Sequence, residues 1–160
     1  MVETRVVPAT KRHAREMGRI MRQKDRIEIR ASGNFEPEKA VRASINRSSE
    51  AWALYAGDYL LGVFGVSKPP GVEWVVPWAM TSAHVNQFPL TFYRTSKEWT
   101  ARWQTKYPYM VQMVHGAYTE ALSWLKRLGF KIEAPEVYGK RGELFCRVTL
   151  VTPRLILEGG

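Results

Sequence analysis

Cys146 is the only cysteine in the 160 residues, so no intrachain disulfide can form and a disulfide-stapled scaffold is excluded. No apolar run approaches the roughly 20 residues of a membrane-spanning helix, and the opening MVETRVVPATKRHAR has no apolar core of the signal-peptide kind. The expectation is a chain without a membrane span, working in a reducing compartment. The sequence also has no internal repeat and no low-complexity stretch. Zinc-finger spacing, an RNP-type aromatic motif and a basic zipper are all missing, which excludes the common sequence-reading nucleic-acid modules. No cluster has metal-ligand spacing, and there is no Ser-His-Asp arrangement, so no metal site is expected.

What is present is enough for one domain. Hydrophobic residues make up 45% of the chain, so residues 1–160 are expected to form one domain with a real core. The formal charge of +9 is unevenly placed. Twelve of the 24 Lys and Arg precede Ser48, against six acids, leaving that segment at +6. A basic helical segment over about 10–47 could meet nucleic acid or an acidic protein surface by counterion release, or simply be solvated.

Period and punctuation divide the chain further. Thr4–Val7 alternates weakly and ends at Pro8, as a short first strand would. Lys11 to about Gln23 reads as a helix with Thr10 at its N-cap and Ala14, Met17 and Met21 as a thin apolar face. Asn34–Arg47 contains a second helix, with Pro37 in its first turn. Ala51–Ser67 reads as two strands joined at Ala56-Gly57-Asp58, where a tight turn needs a positive φ. Val72–Met80 is another apolar strand, in which Pro77 implies a bulge or an edge position. Thr95-Ser96-Lys97-Glu98 has a capping-box pattern and would open a helix carrying Trp99 and Trp103, stopped by Tyr107-Pro108. Met110–Val114 is a further strand. Ala117, Ala121, Trp124, Leu125 and Leu128 then lie on one helical stripe that Gly129 ends, and Phe130 and Ile132 restart the chain as a strand. Glu143–Val151 is a last long strand, approached through Lys140-Arg141-Gly142. Cys146 alternates there with Leu144, Val148 and Leu150, so a buried strand position suits it better than a reactive thiol. Trp74, Trp78, Trp99, Trp103 and Trp124 are all expected to point inward, and an aromatic surplus could also anchor a protein partner.

The order β-α-α-β-β-β-α-β-α-β, with the late segment HGAYTEALSWLKRLGFKI, resembles the GNAT (acyl-CoA N-acyltransferase) fold. The resemblance implies an α+β (α/β) domain: a central mixed, mostly antiparallel sheet flanked by helices, its fourth and fifth strands splayed near Pro77. It also implies a phosphate-binding loop of the form R/Q-x-x-G-x-G/A after the fourth strand. The same interval here, Thr81-Ser82-Ala83-His84-Val85-Asn86-Gln87-Phe88-Pro89, contains no glycine, and Pro89 removes a donor. Acetyl-CoA is therefore expected to bind weakly or not at all, with His84, Asn86 and Arg94 as the side chains available to it. Glu73 is the candidate general base, the alternative being an exposed charge beside a turn. Tyr118 is the candidate acid for a leaving thiolate, or packing. His115 is a candidate base or cap, or a hydrogen-bonded structural histidine.

From Ala51 onward the landmarks resemble a narrower group, the GNAT-related internal virion or core proteins of short-tailed bacteriophages (podoviruses). Trp78-Ala79-Met80-Thr81-Ser82 and Trp124-Leu125-Lys126-Arg127-Leu128-Gly129-Phe130 carry that resemblance, which covers about residues 50 to 151. It implies a virion-associated structural protein with no catalysis and no cofactor. Such a protein would sit in the virion, and in the host cytoplasm during infection. It would contact portal, tail or core proteins, copies of itself and, non-specifically, DNA. The alternatives are an acetyl-CoA-dependent N-acetyltransferase modifying a host or phage protein, and a basic DNA-binding or interaction module.

Overall fold

The computed structural model describes residues 2–33 and 36–153. Seven strands and five α-helices run in the order β1 (Thr4–Pro8), α1 (Lys11–Ile20), α2 (Gln23–Ser32), α3 (Pro37–Arg47), β2 (Ser48–Ala56), β3 (Tyr59–Ser67), β4 (Val76–Thr81), α4 (Pro89–Gln104), β5 (Tyr109–His115), α5 (Thr119–Arg127), β6 (Lys131–Tyr138) and β7 (Glu143–Val151). They form two antiparallel sheets, β1-β2-β3-β4 and β5-β7-β6. Between them the parallel neighbours β4 and β5 meet at a single bridge, Val75 to Met110, through Val75 N–H to Tyr109 O at 3.0 Å and Val111 N–H to Val75 O at 2.9 Å. Beyond that bridge the strands part. The splayed sheet expected near Pro77 is what the chain builds.

Pro77 sits on the open edge of β4. The strand pairs with β3 without a register shift, so the edge alternative holds and the bulge does not. The side of Pro77 that lacks an N–H faces the split, where no ladder partner exists. Its carbonyl is met instead by Gln112 Nε2 of β5 at 2.8 Å, a side-chain bridge across the widening gap.

One core lies under α1 and α3, where Ala14, Met17, Met21, Ala40 and Val41 pack on the sheet with Trp78 and Met80. The second lies under α4 and α5, around Val66, Trp99, Trp103, Met110, Phe130 and Val148. Trp52, Trp99 and Trp103 adjoin one another there, with ring centroids 4.8 and 6.2 Å apart. The indole N–H groups of Trp52 and Trp103 both donate to Glu50 Oε1 at 3.0 Å. Trp74 departs from the inward expectation, being 42% exposed in the bend before β4. Leu144 departs likewise: it is 54% exposed, while Cys146, Val148 and Leu150 on its face of β7 are buried.

Several boundaries differ from the sequence reading, and the strand read as Val72–Met80 begins only at Val76. Helix α1 stops at Ile20 rather than Gln23, because Met21 bridges Ser82 and Arg22 N–H donates to Thr81 O at 2.8 Å. Helix α2 follows, in a stretch with no apolar stripe: Asp25 is buried while Ile27 is 47% exposed. Helix α4 begins at Pro89, which suits a first turn, so the Thr95–Glu98 pattern lies inside the helix and Ser96 Oγ donates back to Phe92 O at 2.8 Å. Two strands follow α5 where the element order had one: the strand restarted at Phe130 and Ile132 is β6, joined to β7 through Gly139 and Gly142 at positive φ. Asn34, the expected start of the second helical segment, lies outside the described residues; that helix, α3, runs from Pro37 with the proline in its first turn, as read.

Candidate active site in the split sheet

Where β4 and β5 diverge, a cavity of about 1010 Å³ passes through the sheet. Strand alternation places its two mouths. On the α2–α3 face it is lined by Glu28, Ile29, Ser32, Ala40, Ser44, Trp78, Met80, Met113, Tyr138 and Phe145. On the α4–α5 face it is lined by Phe64, Asn86, Pro89, Phe92, Trp99, Tyr118, Trp124, Leu125 and Phe130. A passage open to opposite faces suits two cosubstrates that meet inside the sheet.

Helix α2 lies across the divergent ends of the two strands, with Asp25 and Glu28 three residues apart on its inner face. Asp25 holds the β4 side: Thr81 N–H and Thr81 Oγ1 both donate to its Oδ2 at 2.6 Å. The Tyr118 hydroxyl, in the connection after β5, donates to the same carboxylate. Burial pushes the Asp25 carboxyl above its ordinary value, and the donors from Thr81 and Tyr118 oppose that shift. Glu28 holds the β5 side, where its Oε2 accepts the His115 N–H at 3.1 Å. Burial, reinforced by the Asp25 charge, pushes the Glu28 carboxyl up to about 7 against the pull of the His115 N–H. The Tyr118 phenol is raised in turn, by burial first and then by Asp25, so it keeps its proton at any physiological pH. Glu120 is the third acid lining the cavity. Arg22 at 2.8 Å and Lys24 both pair with it, and their bonds hold its carboxyl below the ordinary range.

The residues singled out from the sequence fall in different places. Tyr118 and Asn86 line the cavity. His115 ends β5, buried, with Nε2 2.8 Å from Glu143 Oε1 and its ring against Phe145 at 5.2 Å; its backbone rather than its ring reaches the mouth. His84 lies in a short 3₁₀ turn, Ala83–Gln87, its ring 4.7 Å from Tyr59 and its Nδ1 buried without a hydrogen-bond partner. Arg94 is exposed on α4, and Glu73 is exposed in the bend before β4; neither lines the cavity. Asp25 and Glu28 were missed by sequence reasoning. Their signal was two carboxylates at i,i+3 in a segment whose apolar residues do not keep a helical stripe.

The loop after β4 explains itself locally. His84 N–H goes to Ser82 Oγ at 3.2 Å, Val85 N–H to Ser82 O and Phe88 N–H to Val85 O, both at 3.1 Å. The 3₁₀ turn thus uses most of the amides that a glycine-rich loop would turn toward a phosphate. Beyond Pro89, the Leu90 and Thr91 amides of the first α4 turn remain, where the helix dipole favours an anion. On the cavity wall the Trp124 ring stacks on Phe92, centroids 5.2 Å apart, and its Nε1–H is buried without a hydrogen-bond partner among the described residues.

No family model and no curated protein sequence matches this chain. Solved structures do. A Bacillus subtilis acetyltransferase in complex with CoA is 13% identical, with a TM-score of 0.64 over 95% of this chain and 99% of that one. The Vibrio cholerae spermidine N-acetyltransferase, in complex with CoA and spermine, is 10% identical with a TM-score of 0.68 over 96% and 98%. The Escherichia coli ribosomal-protein-S18-alanine N-acetyltransferase is 11% identical with a TM-score of 0.63 over 93% and 94%. At these identities the likeness shows the fold, which is that of the GNAT acetyltransferases. Among the described residues no helix is long and apolar enough to cross a membrane.

Proposed function

We propose that the chain is an N-acyltransferase that takes an acetyl group from acetyl-CoA to a primary amine. One observation carries the reading: a proton acceptor on α2, Glu28, and a proton donor in the connection after β5, Tyr118, both line the cavity where β4 and β5 part. Burial pushes the Glu28 carboxyl up to about 7 and its Oε1 has no hydrogen-bond partner among the described residues, so it can take the proton that an incoming ammonium must lose. Tyr118, whose hydroxyl is held by Asp25, also lines the cavity and keeps the proton that a leaving sulfur would take. The coenzyme, when bound, supplies the activated thioester. Its pantetheine arm fits the apolar wall of Phe92, Trp124 and Leu125, where the unpartnered Trp124 Nε1–H is available to it. Its phosphates would be left to the Leu90 and Thr91 amides and to Asn86, without a closed backbone cradle. Binding weaker than in the acetyltransferases that possess one is therefore expected, with a dissociation constant between about 1 μM and 1 mM.

Calorimetric titration with acetyl-CoA and a thiol-release assay with amine acceptors test this together. Saturable binding with thiol release that Glu28→Gln or Tyr118→Phe reduces at least a hundredfold supports it. No binding at 1 mM coenzyme (~−4 kcal/mol), and no release with any amine, would sink it. A dissociation constant in the low micromolar range, lost in His84→Ala or Arg94→Ala, would show that side chains form a phosphate site after all.

A second reading is a virion-associated structural protein in which this fold no longer catalyses. The amides consumed by the 3₁₀ turn favour it. So does the exposed face of α1, where Lys11, Arg12, Arg15 and Arg19 form no ion pair among the described residues and could meet DNA or an acidic portal, tail or core protein. Mass spectrometry of purified virions decides it. Stoichiometric copies in the particle would support this reading, and absence from particles would remove it.

A further inference from the structure

The α2–α3 side of the cavity is longer than a small amine needs, and it is electrically bipolar. At one end are Asp25 and Glu28, beside Thr81 at the close of β4. The other end follows from strand register. Ser48 pairs with Ser67 and Ser67 with Val76, so Arg47, just before Ser48, and Lys68, just after Ser67, share the end of the sheet where β4 begins. Both line the cavity, both are exposed, and Arg47 has no ion-pair partner among the described residues. From Val76 to Thr81 the strand advances five residues, about 16 Å. Ala40, Ser44 and Arg47, at i, i+4 and i+7, present one stripe of α3 to this groove; Trp78 and Met80 form its floor.

We infer that the acceptor is the amino terminus of an extended peptide, lying along β4 with its first residue at Glu28 and its fifth or sixth at Arg47 and Lys68. The inference rests on the N-acyltransferase reading and names the substrate class for that site. A free amino acid is too short to span the groove. A linear polyamine would fill its length but bring cationic nitrogens against Arg47 and Lys68. An extended peptide covers the distance at about 3.3 Å per residue and can place an acidic side chain or its carboxylate at the cationic end. The small and apolar walls, Ala40, Ser44, Trp78 and Met80, accept uncharged side chains between the two ends.

Proton affinity agrees. A peptide α-ammonium titrates near 8 and a lysine or alkylammonium near 10.4. A carboxylate near 7 takes a proton from the first across a gap of about one unit, and from the second only across more than three. In the transfer one C–N bond forms and the thioester C–S bond breaks. The nitrogen loses two protons: one passes through Glu28 to solvent, and the other replaces the proton Tyr118 gives to the departing sulfur.

Binding is measured first without coenzyme, so this inference stands or falls independently of turnover. Calorimetry would compare a lysine-free hexapeptide with aspartate at positions five and six, its N-acetylated form, its Asp→Asn form and a linear diamine. The free-amine acidic peptide should bind at least tenfold tighter than the other two peptides and than the diamine. Arg47→Glu combined with Lys68→Glu, both on the surface and so tolerated by the fold, should remove the preference for aspartate. Equal binding of blocked and free peptides, or a preference indifferent to the double variant, overturns the peptide acceptor. Thiol release with the diamine but not with the peptide would do the same while leaving the N-acyltransferase reading in place. Release with no amine at all strikes that reading instead.

Discussion

Glu28→Gln isolates a single charge. The amide has nearly the same shape and keeps an oxygen for the His115 N–H, so packing and that hydrogen bond survive. In the wild type the carboxyl titrates near 7 in the native state, against an ordinary value of 4.5. Between those values the native state binds more protons than the unfolded chain. Wild-type stability must therefore fall as pH rises from about 4.5 through 7, and level off above it. The full difference corresponds to about 3 kcal/mol. Titrating groups not coupled to Glu28 are common to both proteins and cancel when they are compared at the same pH; Asp25 is coupled to it. Urea unfolding of both from pH 5 to 8.5 should give near-coincident curves at the acid end. At pH 8.5 the glutamine variant should be more stable by about 3 kcal/mol, a midpoint higher by about 1.5 M at a slope near 2 kcal/mol/M. A difference that stays under about 0.5 kcal/mol throughout would mean that Glu28 is solvated like a surface carboxylate. The general-base assignment would fall with it.

Asp25→Ala strands the buried Thr81 N–H and hydroxyl and frees the Tyr118 hydroxyl; denaturation should show a loss of about 3 kcal/mol, and a loss below 1 kcal/mol would deny that Asp25 anchors the end of β4. Glu50→Gln tests the indole network: burial would raise the Glu50 carboxyl, but bonds from Trp103, Trp52 and Lys106 hold it below its ordinary 4.5. The stability it contributes is therefore complete above 4.5 and lost as pH falls through the lower native value, so the variant should lose less stability than wild type below pH 4.5. Gly129→Ala places a Cβ at φ 103°, where only open space and Leu150 Cδ1 at 3.8 Å surround it. The cost should be backbone strain alone, about 1–2 kcal/mol by thermal unfolding.

Much of the fold was legible because its signals are local. Gly57 and Gly129 take the positive φ that a tight turn and a helix C-terminus demand, and the β2–β3 hairpin and α5 follow from them. The alternation of Cys146, Val148 and Leu150 placed one face of β7 against the core. Pro77 announced a bulge or an edge, and the unshifted pairing of β4 with β3 made it the edge. The site was legible only in part. Tyr118 and Asn86 could be nominated by position, but Asp25 and Glu28 could not, because α2 turns its polar side inward and leaves Ile27 outside. Amphipathic periodicity assumes that the buried face is the apolar one, and where α2 lines the cavity that assumption inverts. Only the tertiary structure brings α2 across the ends of strands 50 and more residues away and gives its carboxylates the Thr81 and His115 amides to hold. The burial that follows moves Glu28 to neutrality, and no property of residues 23–32 by themselves contains that shift.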